Sequence, residues 1–238
     1  MLNSAIRYAQ AYAKALPPTI LQRLAWVPTR FLLVFFCSLE ISGLENLHKV
    51  NSNIIIASNH VSELDPLVIT ASLPFFSRHL PLFFTSREKE FYKNKGWKKY
   101  IYGGTLFKLL GSYRAYVGLR NYEKALRHQL EIARIGKSIS IFPSGKRVMR
   151  GEVIAPKGGV SYLAQATRIP IMPIHIQGAE RITLREFLLR KRKIKVVFGQ
   201  PLYAKDIFRK STAIMVSDHR NDYEAASAIV MKNIAQLV

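Results

Sequence analysis

In the segment Asn59-His60-Val61-Ser62-Glu63-Leu64-Asp65-Pro66 a histidine precedes an aspartate by five positions, at the end of a strand-like run. Histidine is the side chain whose ordinary pKa lies near neutrality, so it can take up and release a proton at physiological pH. A carboxylate on one ring nitrogen fixes the tautomer and stabilises the imidazolium that forms. The pair therefore has the makings of a general base. A second segment, Ser140-Ile141-Phe142-Pro143-Ser144-Gly145-Lys146-Arg147, carries a strand into a proline-glycine turn that ends in two cations. Glycine lets a backbone approach a ligand, lysine offers a compact charge and arginine a planar fork, a combination suited to phosphate. Each segment has a plainer reading, with Asp65 as a helix cap and Lys146-Arg147 as a solvated basic turn. Their joint presence points to a site.

The elements that must position these residues follow from the flanking pattern. Asn53 to Ser58 reads as a short buried strand, β-branched and apolar. Pro66 disfavours helical geometry at Asp65, while proline is tolerated in a first helical turn and aspartate is a good N-cap. A helix is expected from Pro66 to Ser72, with His60 to Leu64 as the turn that folds the imidazole onto the Asp65 carboxylate. Further strands are expected at Leu82 to Thr85, Ser138 to Phe142, Ile171 to Ile176 and Ile194 to Phe198. Helices are expected at Gly118 to Ile135 and Gly159 to Thr167. Such alternation argues for a single α/β domain with a mostly parallel central sheet flanked by helices.

Together the two segments resemble the glycerolipid acyltransferase family of the 1-acyl-sn-glycerol-3-phosphate acyltransferase type. That family carries Asn-His-x-x-x-x-Asp followed by Phe-Pro-Glu-Gly-Thr-Arg. The first motif is intact in His60 and Asp65, and the second survives as Phe142, Pro143, Gly145 and Arg147. Lys157-Gly158-Gly159-Val160, the Ile169 to Ile176 segment with Pro170 and Pro173, and Phe198-Gly199-Gln200-Pro201-Leu202 continue the resemblance in the same order. It spans residues 41–202. Ser144 stands where the family has Glu, Lys146 where it has Thr, and Val117 where an Arg is expected, with Arg114 or Arg120 as possible substitutes.

The resemblance implies direct acyl transfer from a thioester to a lysophospholipid hydroxyl, such as that of 1-acylglycerol-3-phosphate. His60 would act as general base, oriented by Asp65, and backbone N–H groups at a nearby turn would hold the oxyanion. Gly145, Lys146 and Arg147, with Arg114, Arg120, Ser144 and Lys157, would line the acceptor pocket. Acyl-CoA or acyl carrier protein would be the co-substrate, with no further cofactor. The altered residues leave two alternatives: a different lipid acceptor, or a degenerate relative that binds anionic membrane without chemistry.

Composition agrees with a membrane-surface protein. The 238 residues carry a net charge of +21 and are 49% hydrophobic. A field of that sign favours phospholipid headgroups, a phosphorylated acyl carrier or an acidic carrier protein. The chain lacks zinc-finger spacing, a basic zipper and an aromatic RNA-binding signature, so no nucleic-acid partner is expected. Cys37, the single cysteine, leaves no disulfide framework. His60, His79, His128 and His175 lack metal-ligand spacing, and Ser62 and Ser144 lack the Gly-x-Ser-x-Gly setting of a hydrolase nucleophile.

Residues 1–40 are expected to be membrane-associating helices preceding the acyltransferase domain at 41–238. Ser4 to Leu16 has helical spacing, and Pro17-Pro18 should stop it. Thr19 to Leu39 is rich in bulky apolar residues but is interrupted by Arg23, Pro28 and Arg30. A span needs about 20 mostly apolar residues, so these helices are expected to lie in the interface or enter one leaflet, monotopic, on the cytoplasmic face, the plainer reading being a helix pair packed on the domain's own core. Trp26 suits the headgroup boundary, and the arginines can snorkel. No secretory signal is expected. Basic-aromatic residues from Phe91 to Leu110 are expected to form an interfacial helix or loop beside the active site, and basic residues from Arg181 to Lys195 to touch anionic lipid or the acyl carrier, each being otherwise a solvated basic face.

Overall fold

Seven strands form one sheet in the order β1-β7-β6-β2-β5-β3-β4 in this computed structural model. It describes residues 2–86, 105–116, 121–148, 152, 154–218 and 222–237. The strands are β1 (Glu40–Ser42), β2 (Ile55–Ser58), β3 (Leu82–Ser86), β4 (Ser112–Arg114), β5 (Ser138–Ile141), β6 (Ile171–Gln177) and β7 (Lys195–Phe198). The run β6-β2-β5-β3-β4 is parallel throughout, whereas β7 runs antiparallel to β6 and β1 follows β7. The carboxyl ends of five strands therefore share one rim, and the loops after the neighbours β2 and β5 meet there.

The inner strands β2 and β3 are apolar on both faces, as expected of a parallel sheet covered by helices on both sides. In β2, Ile55 and Ala57 join one core cluster, and Ile56, with Ile54 just before the strand, joins the other. The first cluster is closed by α4 (Tyr122–Ala125), α5 (Arg127–Arg134), α6 (Gly159–Thr167) and the C-terminal pair α8 (Ala204–Asp218) and α9 (Asp222–Ala235). The second is closed by α1 (Leu2–Cys37) and α2 (Asp65–Ser72), with Phe187 of α7 (Leu184–Leu188) packed against it. A five-residue helix, α3 (Thr105–Leu109), precedes β4.

All five expected strands form, within two residues at each end. The expected 118–135 helix is instead two short helices broken at Leu126, whose backbone leaves helical geometry. Residues 117–120, and with them Val117 and Arg120, lie outside the described residues, as do residues 91–104.

The largest correction is at the N-terminus. Pro17-Pro18 does not end the first helix, which runs unbroken from Leu2 to Cys37 with Pro17, Pro18 and Pro28 inside it. A proline in a helix interior costs about 3 kcal/mol, so tertiary bonds must hold this one together. The buried Gln22 amide donates to the Leu82 and Leu110 carbonyls at 2.7 and 2.8 Å and accepts from the Leu82 N–H at 2.8 Å. Trp26 Nε1 donates to the Leu73 carbonyl at 2.9 Å, and Arg30 Nη1 to the Ala71 carbonyl at 2.8 Å. Trp26 and Arg30, expected at a headgroup boundary, are spent on the end of α2. Ala15, Gln22, Leu33 and Cys37 face inward, while Leu16, Ile20, Leu24, Val27, Phe31 and Phe35 form an exposed apolar stripe. By length and composition alone, Ala15–Cys37 would also suffice to cross a membrane.

Candidate active site

The loop after β2 is built around one carboxylate. Asp65 is fully buried, and its Oδ2 accepts from the Val61 and Ser62 backbone N–H groups at 2.7 and 2.9 Å. The same oxygen meets His60 Nδ1 at 2.7 Å. Asp65 is thus not the cap of its helix: Leu64 holds that position, and no side chain caps it. The helix begins at Asp65, followed by Pro66 in the first turn, where a missing N–H costs little. The carboxylate folds back over its own loop and fixes the imidazole.

Two further contacts position His60. The Phe142 ring stacks on the imidazole, with centroids 4.0 Å apart and planes at 14°. Asn59 bonds the β6 backbone both ways, donating to the Ile176 carbonyl and accepting from its N–H, each at 2.8 Å. The loop is thereby pinned to β6 on one side and to the end of β5 on the other. With Nδ1 occupied, Nε2 has no partner among the described residues and is the atom able to accept a proton from a substrate.

The second segment forms a tight turn beside it. The Gly145 N–H donates to the Phe142 carbonyl at 2.9 Å, closing a β-turn with Pro143 in its second position. Gly145 has φ 65, in the left-handed region that favours glycine, and a Cβ there would lie 3.2 Å from Lys157 Cγ. Lys157 is held from its own backbone, whose N–H donates to the Pro143 carbonyl at 2.8 Å. Gly158 follows because a Cβ would come within 2.6 Å of Tyr223 Cβ. The Val148 N–H donates to the His60 carbonyl at 2.8 Å and ties this turn to the His60 loop.

Among the expected site residues, His60, Asp65, Gly145, Lys146, Arg147 and Lys157 come together at this rim. Ser144 is buried, and its hydroxyl donates to the Lys146 carbonyl at 2.7 Å, so it braces the turn. Arg114 ends β4 on the same rim, with its guanidinium 5.0 Å from the centroid of the Tyr116 ring. Arg120 lies outside the described residues. No group of three or more histidine, cysteine, aspartate or glutamate side chains suited to a metal occurs among the described residues. Phe142 and the Asn59 clamp were missed as positioning groups, although both stand inside the motifs. Their contacts join segments far apart in sequence and leave no periodic signal.

The model of the Acyltransferase family matches residues 38–177, more than half of the chain. This protein belongs to the Acyltransferase family. The match covers β2 and its loop, β5 and its turn, and ends with β6. Among its acyltransferase relatives is the chloroplastic 1-acyl-sn-glycerol-3-phosphate acyltransferase BAT2 of Brassica napus, 26% identical over 177 residues. That alignment takes in 71% of this chain and 46% of the relative. The 1-acyl-sn-glycerol-3-phosphate acyltransferase of Bacillus subtilis is 25% identical over 163 residues, 68% of this chain and 72% of that one. The chain spans under half the length of the two chloroplastic relatives it matches, from Brassica napus and Arabidopsis thaliana. The crystal structure of the 1-acyl-sn-glycerophosphate (LPA) acyltransferase PlsC from Thermotoga maritima has the same fold. It aligns with a TM-score of 0.58 at 18% identity, over 100% of this chain and 89% of that one.

Proposed function

We propose that this protein transfers a fatty acyl group from a thioester to the hydroxyl of a lysophospholipid. The observation that carries the reading is the His60–Asp65 pair held beside a glycine turn bearing Lys146 and Arg147. The activity for which the relatives are named makes 1-acylglycerol-3-phosphate the reference acceptor. His60 Nε2 takes the proton from the acceptor hydroxyl as its oxygen attacks the thioester carbonyl. Asp65 holds the ring in the tautomer that bears the proton on Nδ1 and stabilises the imidazolium. The tetrahedral intermediate then expels the thiolate, which leaves on coenzyme A or on an acyl carrier protein. Arg147 and Lys146 bind the acceptor phosphate, with the open backbone at Gly145 allowing close approach.

The surface supports this reading. The exposed stripe of α1 lies on the same molecule as exposed Leu184, Leu188 and Leu189, and Arg190 sits over the Phe35 ring at 4.5 Å. An apolar face with cations beside it suits the interface of an anionic bilayer, where a lysophospholipid resides. We place the protein there as a monotopic, cytoplasmic-face enzyme, with residues 1–40 as its membrane-associating part and 41–238 as its acyltransferase domain.

The test is thiol release from acyl-CoA and acyl carrier protein thioesters by detergent-solubilised protein, with and without lysophospholipid. Acceptor-dependent release is expected. The His60→Ala variant should reduce it about a thousandfold, within the range of general-base effects. Release that is indifferent to His60 would sink the assignment.

A further inference from the structure

Glu63 is a charged residue of the catalytic loop to which the acyl-transfer chemistry gives no task. Its Oε1 lies 3.3 Å from Arg147 Nη1, with side chains 37% and 46% exposed. The acceptor-side arginine is thus met by a carboxylate delivered from between His60 and Asp65. The bond from the Val148 N–H to the His60 carbonyl keeps the two loops together at this point. Beside it, Lys146 meets Glu152 at 2.6 Å. The turn interleaves two cations with two carboxylates, which is a poor match for a bare dianion and a good one for a headgroup carrying both signs.

We propose that Glu63 reads the acceptor headgroup, disfavouring a phosphate monoester and favouring a lysophospholipid whose phosphate carries an ammonium, as an ethanolamine headgroup does. The assignment rests on the acyl-transfer reading above and deepens it. An exposed ion pair is weak enough to open, so a phosphate can share Arg147 or displace Glu63 from it. In either case the carboxylate stays tethered in its loop, inside the screening distance of about 8 Å at physiological salt. A dianion feels that charge twice as strongly as a monoanion, and an ammonium feels it with the opposite sign.

The experiment compares kcat and KM for 1-acylglycerol-3-phosphate and 1-acylglycerophosphoethanolamine, using the full chain in detergent. Wild type, Glu63→Gln and Glu63→Asp are measured side by side. Wild type should favour the ethanolamine acceptor. Glu63→Gln should raise kcat/KM for the monoester about tenfold, chiefly through KM, and lower it for the ethanolamine acceptor several-fold. Glu63→Asp, which keeps the charge, should keep the wild-type order. Raising the ionic strength should shrink the difference between wild type and Glu63→Gln. A Glu63→Gln variant that shifts both acceptors equally, or neither, overturns the proposal while leaving acyl transfer standing. Wild-type thioester consumption that neither acceptor stimulates strikes the acyl-transfer reading itself, and this assignment with it.

Discussion

The two ends of β5 each face a histidine, and the contrast between them shows what would suit an imidazole to act as a base. At the carboxyl end, Phe142 stacks on His60, whose Nδ1 meets the Asp65 carboxylate while one fifth of the side chain stays exposed. At the amino end, the hydroxyl of Ser138 meets His79 Nδ1 at 3.1 Å, and His79 is 3% exposed. The same hydroxyl accepts the Ile54 N–H at 3.1 Å. A carboxylate partner and an open edge let His60 carry a proton in and out. A hydroxyl partner in a closed core gives His79 no compensation for a charge. Burial, and secondarily the positive charge of Arg78, push its pKa down from 6.5 to about 4.

The comparison breaks most sharply at Asp65. Asp65→Asn keeps the shape but offers an amide where Nδ1 and two backbone N–H groups converge. The imidazole then loses both its tautomer control and its counter-charge. We expect kcat to fall by about two to three orders of magnitude, with far-ultraviolet circular dichroism unchanged. A loss under threefold would mean that the carboxylate merely organises the loop.

The amino end gives the second prediction, in stability rather than rate. The folded-state pKa of His79 is depressed, so its contribution is fully present above the ordinary value of 6.5. As the pH falls from 6.5 towards 4, the unfolded chain binds a proton that the native state refuses, and stability drops. The full loss is about 3 kcal/mol. Thermal unfolding across that window should show a steeper decline for wild type than for His79→Gln. Turnover at neutral pH should be the same within about twofold. Parallel declines in the two proteins would remove His79 from the account.

Much of this architecture was legible in the residues, for identifiable reasons. The central strand β2, with Ile54 before it, is a β-branched apolar run, and the His60 and Asp65 loop is closed by contacts within six residues of chain. The turn at Gly145 follows from its own proline and glycine. What was illegible depends on partners distant in sequence. Local chemistry at Pro17-Pro18 says stop, yet Gln22, Trp26 and Arg30 carry α1 onward by bonding carbonyls beyond residue 70. The three-residue strands β1 and β4 are too short to show a period and exist only through pairing with β7 and β3. The helices after Ala204 were not anticipated, although Ser161 and Ser227, 2.9 Å apart, join α6 to α9. The charge on Arg147 was read as free for a phosphate, because nothing local announces that Glu63 returns to meet it.

The smallest effect tests whether stacking adds anything once Asp65 is in place. Phe142 leaves β5 directly opposite the His60 ring, and its nearly parallel plane limits rotation about the axis that the Nδ1 bond leaves free. Phe142→Leu keeps most of the apolar volume while removing the flat surface. An aromatic contact of this kind contributes about 0.5–1.5 kcal/mol beyond its buried area, equivalent to roughly two- to tenfold in rate. The loss should appear in kcat, with the acceptor KM little changed, because the ring aims the base and does not hold the substrate. Ser138→Ala, at the other end of the same strand, should leave kcat untouched. If Phe142→Leu instead raises KM with kcat intact, the ring lines the acceptor pocket, and the carboxylate and the open edge distinguish His60 from His79 without it.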